Sequence, residues 1–426
     1  MRSIGMYVHR DFSEIAIAED GVVRAAGRIA TTPQALELFA QSLAPDDQVA
    51  IEATANALAI ARIIEPHVRR VVLANPKAVR ETSRRAKTDK IDAKVLAQLL
   101  AVGFLDRVWA PDEAARTRRR LISRRGAMVR QRTREKNQIH AVLQRQLVKR
   151  PPMSDVFGVK GRVWLAEQVD GLPLDERLTV GAGLRQIDFT EAEPAELDKI
   201  LAADALSDPD AMRLMTLPGV SAVTAIALLA AIGDIGRFKT PRHLVGYLGL
   251  DPRVRQSGNE PARHGRISKQ GPGDVRGLLV EAAWHAARTV GPLRAFHSRL
   301  AARRGANIAT VAVARKLVII TWHVLSRGEN YAFMRPALHA EKIRKLELAI
   351  GAPRQRGKKL AIRAFAPRTV KDAEREQATE HEAAYARLTA GWKPSRPKKK
   401  AGAGATPGRA SQRPSQGTAA RQATSP

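Results

Sequence analysis

Residues 4 to 30 hold two β-prone runs joined by the turn-forming Glu19-Asp20-Gly21, a pattern that predicts a β-hairpin. A helix follows from about Pro33 to Leu43. Gln48 to Asn56 reads as a short buried strand carrying a carboxylate, and Arg69 to Pro76 as another strand, stopped by Asn-Pro. From Thr88 to Gly103 the apolar residues recur at 91, 95, 96, 99 and 100, the spacing of one helix face, and Thr88 has the side chain of an N-cap. The order strand, strand, helix, strand, strand, helix predicts an α/β domain with a mixed sheet over residues 1–112.

The pattern then changes. Arg116 to Arg150 reads as one long helix with 13 Lys and Arg and a single acid, Glu135. Its large apolar positions, Leu121, Met128, Ile139, Val142 and Leu143, form one narrow seam, which predicts a basic helical, coiled-coil-like segment within 113–205. Residues 151–211 give weak helical signals broken by many turn formers. A mainly helical domain is expected over 206–331: a short helix, the turn Leu217-Pro218-Gly219-Val220, an apolar helix ending near Gly233, a Gly-, Pro- and Arg-rich loop over 247–273, and helices over 274–290 and 306–326. In the remaining segment, 332–426, no acid appears after Glu382. Its last stretch cannot bury enough surface to fold, so a disordered basic tail is expected.

Charge sharpens this picture. Lys and Arg number 72 against 42 Asp and Glu, a formal +30, and so large a surplus repels itself unless a polyanion neutralises it. Nucleic acid is the expected partner, with Arg118, Arg119, Arg120, Arg124 and Arg125 on the long basic helix as candidate contacts. The chain has no Cys, which excludes disulfides, a thiol nucleophile and Cys-ligated zinc. The longest apolar run, Ser221 to Ile232, falls short of the roughly 20 residues of a membrane span. The opening MRSIGMYVHRDF lacks an apolar signal core. A cytoplasmic protein with no membrane contact is the expectation.

Phosphodiester chemistry commonly uses paired divalent cations held by several carboxylates, and a hard ion such as Mg²⁺ selects oxygen ligands. Glu52 at a strand end, with Asp89 and Asp92 three apart at a helix start, are candidates; an Asp there also serves simply as a cap or dipole partner. Gly219 lets backbone N–H groups approach a phosphate beside a helix N-terminus, in the manner of a helix-hairpin-helix, although a helical hairpin that only packs has the same pattern.

GMYVHRD, IEATAN, NPKAVR and KTDKIDAKVLAQLL, followed in order by LPGVSAVTAIALLAAIGDIGRF, YLGLDPRVRQSG, RISKQG and VRGLLVEAAWHA, resemble the DEDD-type transposases of insertion-sequence family one hundred and ten over residues 4–330. The resemblance implies a RuvC-like, ribonuclease-H-fold catalytic domain and a C-terminal transposase domain that cut and rejoin DNA. It implies a tetrad of three Asp and one Glu around two Mg²⁺ or Mn²⁺ ions, with Glu52, Asp89 and Asp92 at three of its positions. At the fourth, where the family pattern has Asp, this chain has Tyr7. Neutral Tyr binds Mg²⁺ poorly, and Asp11, four residues along the expected strand, stands roughly 13 Å away. The departure points either to a copy impaired in cleavage or to a decayed element, and Tyr7→Asp is expected to raise metal-dependent activity.

The resemblance further implies that Ser257 is a nucleophile on the scissile phosphate, with Ser268 as the alternative. Arg253, Arg255, Arg263, Arg266, Lys269 and His264 lie near it in sequence to face the developing charge. A structured guide RNA and a dimer or tetramer are implied as partners of the DNA reaction. Two other readings stay open: a junction-resolving nuclease, and a catalytically silent nucleic-acid-binding protein.

Overall fold

The computed structural model describes residues 1–76, 88–105, 107–353 and 367–392. The expected tail beyond residue 392 lies outside the described residues. The chain forms two compact units, one of residues 1–197 with 226–234, the other of residues 198–225 with 235 onward.

The first unit is built on a five-stranded sheet of order β3-β2-β1-β4-β5, from β1 (Ser3–Val8), β2 (Phe12–Glu19), β3 (Val22–Ala30), β4 (Gln48–Glu52) and β5 (Arg70–Ala74). β1, β2 and β3 are antiparallel neighbours, while β4 pairs in parallel with both β1 and β5. The sheet is mixed, as its sequence pattern predicts. The first run is not one strand but two: the polar His9-Arg10-Asp11 breaks it, and the His9 N–H bonds back to the Phe12 carbonyl. Asp11 consequently sits in a turn and not on the strand face expected for it. The expected hairpin turn is present at Asp20 and Gly21, both with positive φ.

Alternation along the strands sorts side chains into two layers. Ile4, Met6, Val8, Val49 and Ile51 face Leu36 and Ala40 of α1 (Pro33–Gln41) and Ile60 and Ile64 of α2 (Ala57–Ile64). Helix α2 is absent from the sequence reading; it is the crossover that the parallel pair β4 and β5 requires. The opposite face of the sheet is covered by α3 (Asp89–Ala101), whose Ala93, Leu96, Ala97 and Leu100 meet Ala16, Ala18, Ala50, Val72 and Ala74. Gly5 makes the closest approach possible: a Cβ there would run into the Ala93 carbonyl oxygen and the Ala97 amide nitrogen. At the rim of the unit, Arg2 closes on buried Asp47.

Helix α4 (Glu113–Arg145) begins on Asp112, whose carboxylate accepts from the Ala115 N–H at 2.7 Å. It buries Ala115, Ile122, Met128, Ile139, Val142 and Leu143, close to the predicted seam. The last three pack with Leu165 of α5 (Val159–Asp170) and with Val180 and Ile187 of α6 (Leu174–Ser207).

Further along, α7 (Pro209–Leu214) and the Leu217–Val220 turn of the second unit, then α8 (Ala222–Ile232), most of which belongs to the first, follow the predicted order. The 247–273 segment is more ordered than a loop: β6 (Pro252–Arg255) and β7 (Arg263–Ile267) pair as an antiparallel ribbon. Between α9 (Pro241–Tyr247) and the C-terminal end lie α10 (Gly273–Arg288), α11 (Pro292–Arg304), α12 (Ala306–Arg327), α13 (Pro336–Ala349) and α14 (Arg368–Ala390). Helix α12 is long and apolar enough to cross a membrane by composition, yet Val313, Leu317, Val318 and Val324 are buried against its neighbours, the behaviour of a core helix. Helices α13 and α14 occupy part of the segment expected to be tail. They are docked, with the Ala337 N–H donating to Glu374 at 2.7 Å and Glu382 receiving Arg294 at 2.9 Å.

Candidate active site

The sequence-predicted acids fall on two elements. Glu52 ends β4, on the same face as Ala50, and so faces the layer that α3 covers. Tyr7 shares that face, packing beside Ala93. The β1–β4 register pairs Met6 with Ile51, and one step further sets Tyr7 next to Glu52. On its other side Tyr7 is paired with Glu14. Glu14, Tyr7 and Glu52 therefore form one row across three adjacent strands, about 5 Å from strand to strand. Asp89 and Asp92 lie in the first turn of α3, which starts on Thr88 as predicted, with the Ile91 N–H bonded to the Thr88 hydroxyl. Asp92 is buried and Asp89 half-buried.

Glu14 is the acid that the sequence reading missed. Its carboxylate is almost wholly buried and meets the Arg28 guanidinium at 2.6 Å, while Arg28 itself stacks over Phe12. Recognising it requires knowing that the chain reverses at residues 9–11. A single strand through that point would set Glu14 far from Tyr7.

As donors, Glu52, Asp89 and Asp92 are the hard oxygens that a divalent ion selects. As a cage they fall short: a phenol holds the central place in the row, and among the described residues no group of three His, Asp or Glu is arranged to hold a metal.

Ser257 lies at the exposed end of the β6–β7 ribbon. Arg255 and Arg263 are directly opposite each other across that ribbon, an arrangement of like charges that opposes pairing unless something negative intervenes. Glu260, 3.5 Å from Arg263, does so in part. Arg253, Arg266, His264 and Lys269 are exposed around them. Ser268 is placed differently, at the ribbon's foot, where its hydroxyl donates to Asp251 at 2.5 Å and its N–H bonds the Asp251 carbonyl at 2.8 Å. Arg276 ties the same foot down through the carbonyls of Leu248 and Gln270.

The other basic candidates divide. Arg119 is bound to the carbonyl oxygens of Ala230 and Ala231 and lies over Trp109, so its charge serves the interior of the first unit. Arg120 pairs with Glu113 while remaining largely exposed, and Arg124 is exposed; Arg118 and Arg125 are half-buried. Gly219 has φ +81°, and a Cβ there would strike the Ala282 carbonyl, so close packing on α10 already demands glycine at this turn.

A mixed sheet between helical layers, with acids in a row on one face and an arginine-rich ribbon in the second unit, is consistent with the ribonuclease-H-like class of enzymes that act on nucleic acid. Residues 5–147 match a family described as "Transposase", of the DEDD type, and residues 211–298 match "Transposase IS116/IS110/IS902 family". The chain belongs to the IS110 family of DEDD transposases and is a DNA transposase/recombinase by class.

It is 28% identical over 263 residues to the transposase for insertion sequence element IS1111A of Coxiella burnetii, covering 61% of this chain and 72% of that one. It is 28% identical over 288 residues to the transposase for IS1328 of Yersinia enterocolitica, covering 67% and 85%. Over a shorter stretch of 120 residues it is 30% identical to the pilin gene-inverting protein of Moraxella bovis, covering 28% and 37%.

Proposed function

We propose that the protein moves an insertion sequence by cutting and rejoining DNA strands, with Ser257 as the nucleophile and the β6–β7 arginines as its electrostatic partners. The observation that carries this reading is the exposed serine beyond the Arg255–Arg263 pair. Two guanidinium groups set opposite each other stand ready for a phosphodiester, whose negative charge relieves their repulsion and grows as the hydroxyl attacks. In the attack the Ser257 oxygen bonds to phosphorus, its proton passes to an acceptor in the site, and the O–P bond to the leaving strand breaks. That strand leaves with a hydroxyl end, and return of a strand hydroxyl onto the same phosphorus releases the serine.

Divalent metal use belongs to the DEDD class, and Glu52, Asp89 and Asp92 are the oxygen donors that would hold Mg²⁺ or Mn²⁺ as a Lewis acid, in a set that lacks the acid Tyr7 replaces. Choice of target by a structured RNA, assembly as a dimer or tetramer, and phosphate contact by the helical hairpin at Gly219 are parts of the same proposal. The first two would draw on the exposed basic side chains of α4. A second reading, an impaired copy that binds DNA without cutting it, is favoured by one observation: Tyr7 stands between Glu14 and Glu52 where an acid is expected.

The test is strand transfer on DNA carrying the element's ends, with Mg²⁺ and RNA from its flanks, by the natural chain and by Ser257→Ala. A serine-linked DNA adduct and joined product are expected from the first alone. Transfer undiminished in Ser257→Ala would remove the serine from the chemistry.

A further inference from the structure

Within the second unit, a cavity of about 140 Å³ lies behind the Leu217–Val220 turn, closed by the α10–α11 link and the first turns of α13. Its apolar walls are interrupted by Arg335, His339 and Lys342. Lys342 is fixed in place: its ammonium donates to the carbonyl oxygens of Met215, Leu217 and Val220 at 2.7, 3.3 and 3.0 Å. All three of its N–H donors are thereby used on the turn, and its charge is held at the cavity.

The other two cations are not satisfied in this way. Among the described residues, His339 Nδ1 and Arg335 Nε are buried without a hydrogen-bond partner. Arg335 Nη2 donates to the Lys371 carbonyl, and Glu374, the acid facing Arg335, stays 3.9 Å from its Nε with its own Oε2 buried and without a hydrogen-bond partner. Buried polar atoms left without partners are costly and call for an explanation such as a ligand. Two such atoms and a fixed ammonium, opposed by one carboxylate, leave the cavity net positive. Burial and the Lys342 charge both hold His339 below its ordinary value, the condition of an imidazole that lacks an anion.

We propose that this cavity is an oxyanion site that takes a phosphate group, with Arg335 and His339 contacting the anion and Lys342 holding positive charge behind it. An anion at Nδ1 selects the imidazolium, so binding takes up a proton. The phosphate is either a backbone group of nucleic acid or free inorganic phosphate. Only the first of these sources rests on the transposase reading.

The experiment uses the full chain in chloride-poor buffer, titrated with inorganic phosphate, reading heat of binding and the His339 side-chain resonance. Saturable binding and an upward move of the His339 titration are expected. Arg335→Gln should weaken binding about tenfold or more, with His339→Gln doing the same should the arginine variant fail to fold. Competition by a short duplex assigns the site to backbone phosphate, and its absence to the free anion; either is in accord with an oxyanion site. A His339 titration indifferent to phosphate, or unchanged affinity in the folded variants, overturns the proposal. Because phosphate binding is measured without strand transfer, its failure and that of the transposase reading are separable.

Discussion

Tyr7 on β1 stands directly across from Glu14 on β2, and the two share the sheet face beneath α3. Glu14 brings to this row a negative charge that the turn at His9–Asp11 sets beside Tyr7, and Arg28 neutralises it. Tyr7→Asp would set a carboxylate between Glu14 and Glu52. In the absence of divalent ions the added repulsion should lower stability, on the order of 1–2 kcal/mol. With Mg²⁺ or Mn²⁺ the loss should be recovered and metal-dependent strand cleavage should rise. Thermal unfolding of both proteins with and without Mn²⁺ is the check; an equal metal-induced shift in the two would leave Tyr7 irrelevant to the metal.

Gly5 couples that row to the helix carrying Asp89 and Asp92. Since a Cβ at this position meets α3 backbone, which cannot yield as a flexible side chain would, Gly5→Ala must push the helix off the sheet. The expected cost is on the order of 3 kcal/mol, well above the usual effect of so small a change. Gly246→Ala, whose Cβ would meet nothing within 4 Å, is the control. Urea unfolding of the two variants measures the difference, and similar midpoints would contradict the packing described for Gly5.

Much of this was legible beforehand, for identifiable reasons. The α3 periodicity and its Thr88 cap are local signals, and both appear as predicted. The seam of α4 is equally local. What escaped is non-local. Glu14 gains meaning only from strand pairing, and the two strands of the first run differ from one strand only by the tight turn at His9–Asp11. Helix α2 is eight residues long, too short for its period to stand out, and was detectable only from the crossover that a parallel pair requires. The β6–β7 ribbon is rich in Gly, Arg and Pro and exposed on both sides, so it lacks the alternation by which a half-buried strand is recognised. The role of Arg119 depends on carbonyls more than a hundred residues away.

Ser257 and Ser268 should separate cleanly. Ser257→Ala removes a hydroxyl from an exposed loop, so strand transfer should vanish while the unfolding midpoint stays put. Ser268→Ala deprives Asp251 of a 2.5 Å hydrogen bond at the foot of the ribbon. A loss of about 1 kcal/mol in stability and a partial loss of transfer should follow, because the arms carrying Arg255 and Arg263 are less well held. Rescue by Ser268→Thr, which keeps the hydroxyl, distinguishes positioning from chemistry. Abolition of transfer by Ser268→Ala with Ser257→Ala still active would exchange their roles.

The proposed oxyanion cavity should also show a characteristic pH response, best read with sulfate, which stays a dianion across the range. Burial pushes Lys342 down to about 8 and the Tyr331 phenol up to about 12. Affinity for sulfate should therefore fall in two stages as pH rises, first below neutrality as His339 loses its proton, then through about 8 as Lys342 does. Stability without the anion should run the other way. The folded pKa of Lys342 lies below that of the unfolded chain, so between about 8 and 10.5 the unfolded state binds more protons and stability rises with pH. Bound sulfate favours the charged ammonium and should flatten that rise. Lys342→Met should abolish both the second affinity stage and the alkaline gain, and their persistence in that variant would assign them to another group.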